Sequence, residues 1–239
     1  LSANEYAWAL DPDAIGYVRT VLRLTHFAGL ILGLGGAVFL DLTLGRLARA
    51  GLTREHVDGV HWVSRFVALG LALLWLSGLG FLVLYQFADP QKLANPKIYA
   101  KITIVAILTA NGVAIHLAVL PQLRQRIGLP LLKNLRPRLR LLFALTSAAS
   151  LVSWTVPVVL GAAPQLNFVV PFQTILAIYA VLLLAATALA FVLLTERPVR
   201  TAQHANNNNP PDALAASGQA GTGALAPSPA DRPTSTSFC

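Results

Sequence analysis

Methionine is absent from this chain, and cysteine occurs once, as Cys239 at the end of a polar segment. A single cysteine excludes an internal disulfide, so the compartment has to be read from other features. The soft sulfur ligands that a Cu(I) path favours are missing from the apolar part of the chain, so copper transport is not expected unless histidines alone serve. Charge is scarce as well: 12% of the residues are charged, and the 18 Lys and Arg outnumber the 10 Asp and Glu, giving net +8. No HExxH, CxxC or serine-nucleophile elbow is present. What fills the space is apolar: 55% of the residues are hydrophobic and the mean hydropathy is +0.62. That balance belongs to membrane spans and not to a soluble domain. The basic excess does not indicate nucleic acid, because the Arg and Lys sit in short loops at the ends of apolar runs, where positive charge orients a membrane protein. The expected partner is the lipid bilayer.

Five apolar runs are long enough to cross it, at roughly 20 residues each: Leu24 to Leu44, Phe66 to Phe87, Ile98 to Leu120, Leu141 to Leu160 and Phe168 to Leu194. The fold class is therefore all-α, a polytopic membrane helical bundle with five transmembrane helices. The first run carries glycines at 29, 33 and 36 with Ala37, a flat side where a neighbouring backbone comes close. That surface also offers a route to a homo-oligomer or a partner in a membrane complex. The glycines lie inside a span and not between a strand and a helix, so they are no nucleotide loop. The short FADPQKLANPK connection predicts that spans two and three are antiparallel neighbours. The fifth run is longer than required and is expected to tilt.

The flanks set the orientation. The loop between Gln122 and Arg140 has six basic residues and no acidic one, and Arg46, Arg49 and Arg54 follow the first span. Both loops are expected in the cytoplasm, with Arg197 and Arg200, which leaves the acidic N-terminus, the Asp89 loop and the 161–167 turn outside. Residues 1 to 17 lack the basic start and apolar run of a cleavable leader. They read as an extracytoplasmic interfacial segment, with Asp11 and Pro12 starting a helix and Trp8 and Tyr17 as headgroup anchors. Residues 18 to 200 form the five-helix domain. Residues 201 to 239, rich in Asn, Pro, Gly, Ala and Ser, read as a disordered cytoplasmic tail.

Ionisable residues inside a membrane are costly, and each is a functional candidate. Depth sorts them into two levels. His26 and Lys101 lie at the outer level; Asp41, His61, Arg65 and His116 lie at the inner one. His26 suits an axial ligand of a b-type haem or a proton-transfer group, and equally a histidine bonded to a neighbouring helix. His61 and His116, on adjacent antiparallel helices, suit a shared haem iron or metal, although His61 sits at the membrane edge where a solvated histidine costs nothing. Asp41 and Arg65 suit an ion pair between spans one and two. Lys101 suits snorkelling to the outer headgroups, or contact with a substrate carboxylate or haem propionate. Asn111, at mid-membrane, and the stripe Thr146, Ser150, Ser153 suit bonds between helices, and Pro157 a kink.

His26 with Gly35, Gly36 and Phe39, Arg65-Phe66 leading into the second span, Lys101 in the third and the Arg-rich loop before the fourth together resemble CopD-like membrane proteins. These are similar in turn to the HemJ-type protoporphyrinogen oxidases. The resemblance covers roughly residues 20 to 160. It implies a bacterial inner-membrane protein that binds a b-type haem or related tetrapyrrole through His26 and His116, with Lys101 beside it, for electron transfer or an oxidation. A cofactor-free accessory subunit of a membrane complex and a copper-handling permease are the alternatives. The orientation is directly testable: in intact cells a membrane-impermeant maleimide should leave Cys239 unlabelled, and should label it once the inner membrane is opened.

Overall fold

Apolar runs of this length become helices in lipid because every backbone amide must find its partner within its own segment. In the computed structural model, which describes residues 12–47, 51–129 and 135–195, five helices are long and apolar enough to cross a membrane. They are α1 (Pro12–Leu47), α2 (Arg54–Ala88), α3 (Pro96–Ala114) running through a π-helical turn (Ile115–Val119) into α4 (Leu120–Gln125), α5 (Pro137–Ala162) and α6 (Phe172–Leu193).

Two boundaries differ from expectation. α2 starts at Arg54, about three turns before Phe66. Thr53 Oγ1 accepts the His56 N–H at 3.3 Å, and the His56 ring accepts the Thr53 N–H at 3.3 Å. This is a capping box with histidine where Glu or Gln is usual, a signal that the apolar pattern alone misses. α6 has 22 residues, about 33 Å at 1.5 Å per residue. The excess length expected to tilt it belongs instead to the connection, where Phe168 adopts φ 60° and Pro171 precedes the first turn. Residues 12–17, expected in an interfacial helix leading into the first span, are the first turns of α1. Trp8, Asp11 and the 201–239 segment lie outside the described residues.

The bundle is built from two groups. In the first, α1 and α2 run antiparallel with their backbones in close approach: a Cβ on Gly29 would stand 2.8 Å from the Gly70 carbonyl oxygen, and one on Gly70 would run into the Gly33 amide nitrogen. Gly36 faces Val67, and Gly80 faces Leu22. The indole of Trp154, from α5, covers Gly33. The glycine face of α1 is thus filled by this chain's own α2 and α5. Within this chain Gly29, Gly33 and Gly36 therefore already have neighbours on α2 and α5. The second group is α3, α5 and α6. Ala100 and Ile104 are fully buried in it, Asn111 Nδ2 donates to the Thr146 carbonyl at 3.0 Å, and the Ser153 and Tyr179 hydroxyls share a 2.9 Å hydrogen bond.

The α2–α3 connection closes one end. Asp89 accepts from Arg19 at 2.9 Å and from Lys92 at 2.8 Å, and the Lys92 hydrogen bond, joined by both cationic charges, holds the Asp89 carboxyl below its ordinary range. Nearby, Lys97 donates to the Ala163 carbonyl at 2.7 Å and to Asn167 Oδ1 at 2.9 Å. At the other end, which carries Arg46, Arg54 and Arg124 and is called the basic end below, Leu52 and the 128–129 segment exchange two backbone hydrogen bonds.

α2 and α3, expected as antiparallel neighbours, are joined by their connection and by the Trp75 indole N–H, which donates to Thr109 Oγ1 at 3.0 Å, and at the basic end Val57 and Val60 of α2 share a buried cluster with Leu120 and Leu123 of α4. Between these two contacts α2 and α3 stand apart, α2 packed mainly on α1 and α3 on α5. Gly70→Ala should lower stability in detergent by about 2 kcal/mol, read as a fall in thermal unfolding temperature. Gly78→Ala, at a glycine with open space around it, should stay within about 0.5 kcal/mol.

Candidate functional site

Where α2 and α3 part, a cavity of about 580 Å³ opens in the half of the bundle toward the basic end. Its walls come from α1 (Asp41), α2 (Ser64, Ala68, Ala72, Trp75), α3 and its π turn (Thr109, Asn111, His116) and α5 (Thr146, Ser147, Trp154), with the end of α6 beside them. Leu71, Leu108, Phe143 and other aliphatic groups make the rest of the lining apolar. Ala68, Ala72, Val113 and His116 are exposed in the chain itself, so the cavity opens sideways between α2 and α3, at the flank of the bundle. This size and this mixture of apolar wall and few polar groups are those of small-molecule sites.

Most of the polar lining is already bonded. Thr109 takes the Trp75 indole and donates to the Val105 carbonyl at 2.8 Å. Asn111 is buried and tied to α5, and Thr146 bonds back to the Leu142 carbonyl at 2.8 Å. Of the lining's titratable groups, Asp41 and His116, neither is spent in this way. Asp41 accepts one long hydrogen bond, 3.3 Å from Ser147 Oγ. No ion pair joins it to Arg65, which is exposed. The expected Asp41–Arg65 pair is thereby corrected: Asp41 turns toward α5, while Arg65 points away from the bundle. His116 is the other. It lies in the π turn, whose Leu120 N–H reaches back to the Ile115 carbonyl, and Pro121 supplies the cause. A proline lacks the N–H of an α-helical bond and crowds the carbonyl four residues earlier, and a widened turn relieves both. Widened turns of this kind recur at functional sites.

His26 belongs to a different place. Its Nδ1 lies 2.9 Å from Ser77 Oγ, and its ring meets Phe81 edge-on at 6.2 Å. Lys101 Nζ stands beside Gly161 at the far end of α5. From Lys101 to His116 the helix runs on for roughly four turns, about 22 Å. One iron cannot be ligated by both histidines, whose ring nitrogens would each have to stand near 2 Å from it. A haem b held by His26 and His116 together therefore does not fit this protein, and neither does a metal ion shared by the two. His61 is half-buried at the start of α2 and does not line the cavity. Its carbonyl accepts from Ser64 Oγ at 2.7 Å. Among the described residues no group of three or more His, Cys, Asp or Glu could hold a metal ion.

Several residues that matter here carry little signal in the sequence. Ser147 and Ser77 read as ordinary helical serines until their partners on other helices are known. Lys97 is 4% exposed, although its position in a loop-like PK dipeptide suggests a surface. Trp154, one residue among many in a span, becomes the plug over Gly33. No family model, curated protein or solved structure matches the chain.

The division between spent and free polar groups has a measurable consequence. Asn111→Ala should cost about 1 kcal/mol by breaking the α3–α5 bond, lowering the unfolding temperature in detergent, whereas His116→Ala should leave it unchanged.

Proposed function

We propose that this protein, whose five helices are long and apolar enough to cross a membrane, lies in a bacterial inner membrane with its basic end in the cytoplasm and binds a lipophilic small molecule drawn from the bilayer. The observation that carries this reading is the cavity of about 580 Å³ between α2 and α3, open sideways and furnished with Asp41 and His116. The lateral opening suits a guest that partitions into lipid first and reaches the site by diffusion in the membrane. The apolar walls, with Trp75 and Trp154 among them, suit its body, and the two uncommitted polar groups suit its functional end.

The CopD-like resemblance adds haem b as one such guest. In this protein a haem would have to be held by His116 alone inside the cavity, because His26 stands at the other level and faces Ser77. Copper handling gains no support, since the lining offers one imidazole and no sulfur. An accessory role through the glycine face is disfavoured by the occupation of that face from within.

Protein purified in mild detergent and analysed by native mass spectrometry should carry a small lipophilic molecule, and Ala72→Phe, which narrows the opening, should strip it. The absorption spectrum, oxidised and then dithionite-reduced, identifies the haem case: a Soret band lost in His116→Ala and kept in His26→Ala. A Soret band lost in His26→Ala alone, or a bound molecule unaffected by Ala72→Phe, would overturn the cavity reading.

A further inference from the structure

The cavity contains a carboxylate with no cation opposite it. Among the described residues that line it, Asp41 and His116 are the titratable ones, and none is Lys or Arg. Elsewhere the chain neutralises an acid with care: Asp89, at the aqueous end of α2, has both Arg19 and Lys92 within 2.9 Å. Asp41 lies some four turns beyond His26 along α1, within the apolar span, and its single partner is a serine hydroxyl at 3.3 Å. An ionised carboxylate at such a place needs a positive partner, because the low dielectric that makes isolation costly also strengthens the attraction once the partner arrives. Arg65 is near enough in sequence to have served and turns outward instead.

From this juxtaposition we infer that the guest is a lipophilic amine: its protonated nitrogen meets Asp41, with Ser147 Oγ beside it, while its apolar body lies between Trp75 and Trp154. This rests on the cavity reading above and names the chemical class that the cavity selects. Volume agrees, since about 580 Å³ falls within the roughly 300–1,000 Å³ of sites for drug-sized molecules. A second physical point favours an amine over a permanently charged metal ion. An amine can cross lipid as the neutral base and take up its proton at the site, whereas the opening faces hydrocarbon, where a bare ion does not travel.

Three matched fluorescent probes test it in phosphatidylcholine nanodiscs, with energy transfer from the cavity tryptophans as readout: dansylcadaverine, an amine; N-pentyl dansylamide, neutral; and dansyl-6-aminohexanoic acid, an anion. The amine should bind at least tenfold more tightly than the neutral probe, and the acid most weakly. Asp41→Asn should abolish the amine's advantage and leave the affinity for the neutral probe unchanged, which also shows that the variant is folded. Equal affinity of amine and neutral probe for the unaltered protein, or an advantage that survives Asp41→Asn, overturns the amine assignment while leaving the cavity a binding site. Absence of saturable transfer from all three probes overturns the cavity reading, and this inference with it.

Discussion

The close approach of α1 and α2 governs the rest of the structure. Lipid offers no hydrophobic drive to bring two apolar helices together, so contact depends on van der Waals fit, and fit is best where side chains are absent. Gly29 and Gly33 on one helix and Gly70 on the other let the backbones meet. With that seam closed, α1 and α2 act as one slab. α5 then seats its Trp154 ring on Gly33, which fixes how the slab lies against α3, α5 and α6. The cavity is the remainder: a gap between α2 and α3, with the buried cluster of Val57, Val60, Leu120 and Leu123 on one side of it and the Trp75–Thr109 bond on the other.

Polar groups follow the same economy. In hydrocarbon an unpaired donor or acceptor is costly, and most of those inside the bundle are bonded across helices or back to their own turn. Trp75 with Thr109, Asn111 with the Thr146 carbonyl, and Ser153 with Tyr179 act as cross-braces. Against that background Asp41 and His116 stand out, because one long hydrogen bond is all that ties Asp41 to another helix and His116 lies at a widened turn. The pair is brought to one cavity by different means: Asp41 by the register of α1 against α5, and His116 by a backbone irregularity that Pro121 imposes.

Much of the fold was legible in the sequence for a physical reason. Five runs without charge must be helices if they enter lipid, and the glycines of the first run declare a tight contact. The sequence did not say with whom. A glycine face has no direction of its own, and it is the three-dimensional packing that gives it to Gly70 and Trp154. The separation of His26 and Lys101 from Asp41 and His116 followed from counting turns, but the pairing of Asp41 with Arg65 failed. Proximity along adjacent helices does not settle which way a side chain rotates, and Arg65 reaches water more cheaply by turning outward. The start of α2 was missed because Thr53 and His56 form a cap in an uncommon residue pair, and the cavity was missed because it arises from a failure of contact, which no local pattern encodes.

The indole of Trp154 resting on Gly33, together with the Trp75–Thr109 bond, has a further consequence. Both lie on the side of the cavity away from the basic end and form a ceiling over it. A molecule that slips in between α2 and α3 meets these two rings before it can move further toward the Asp89 end of the bundle. Either ring is thereby placed to bear on how deep a guest can settle.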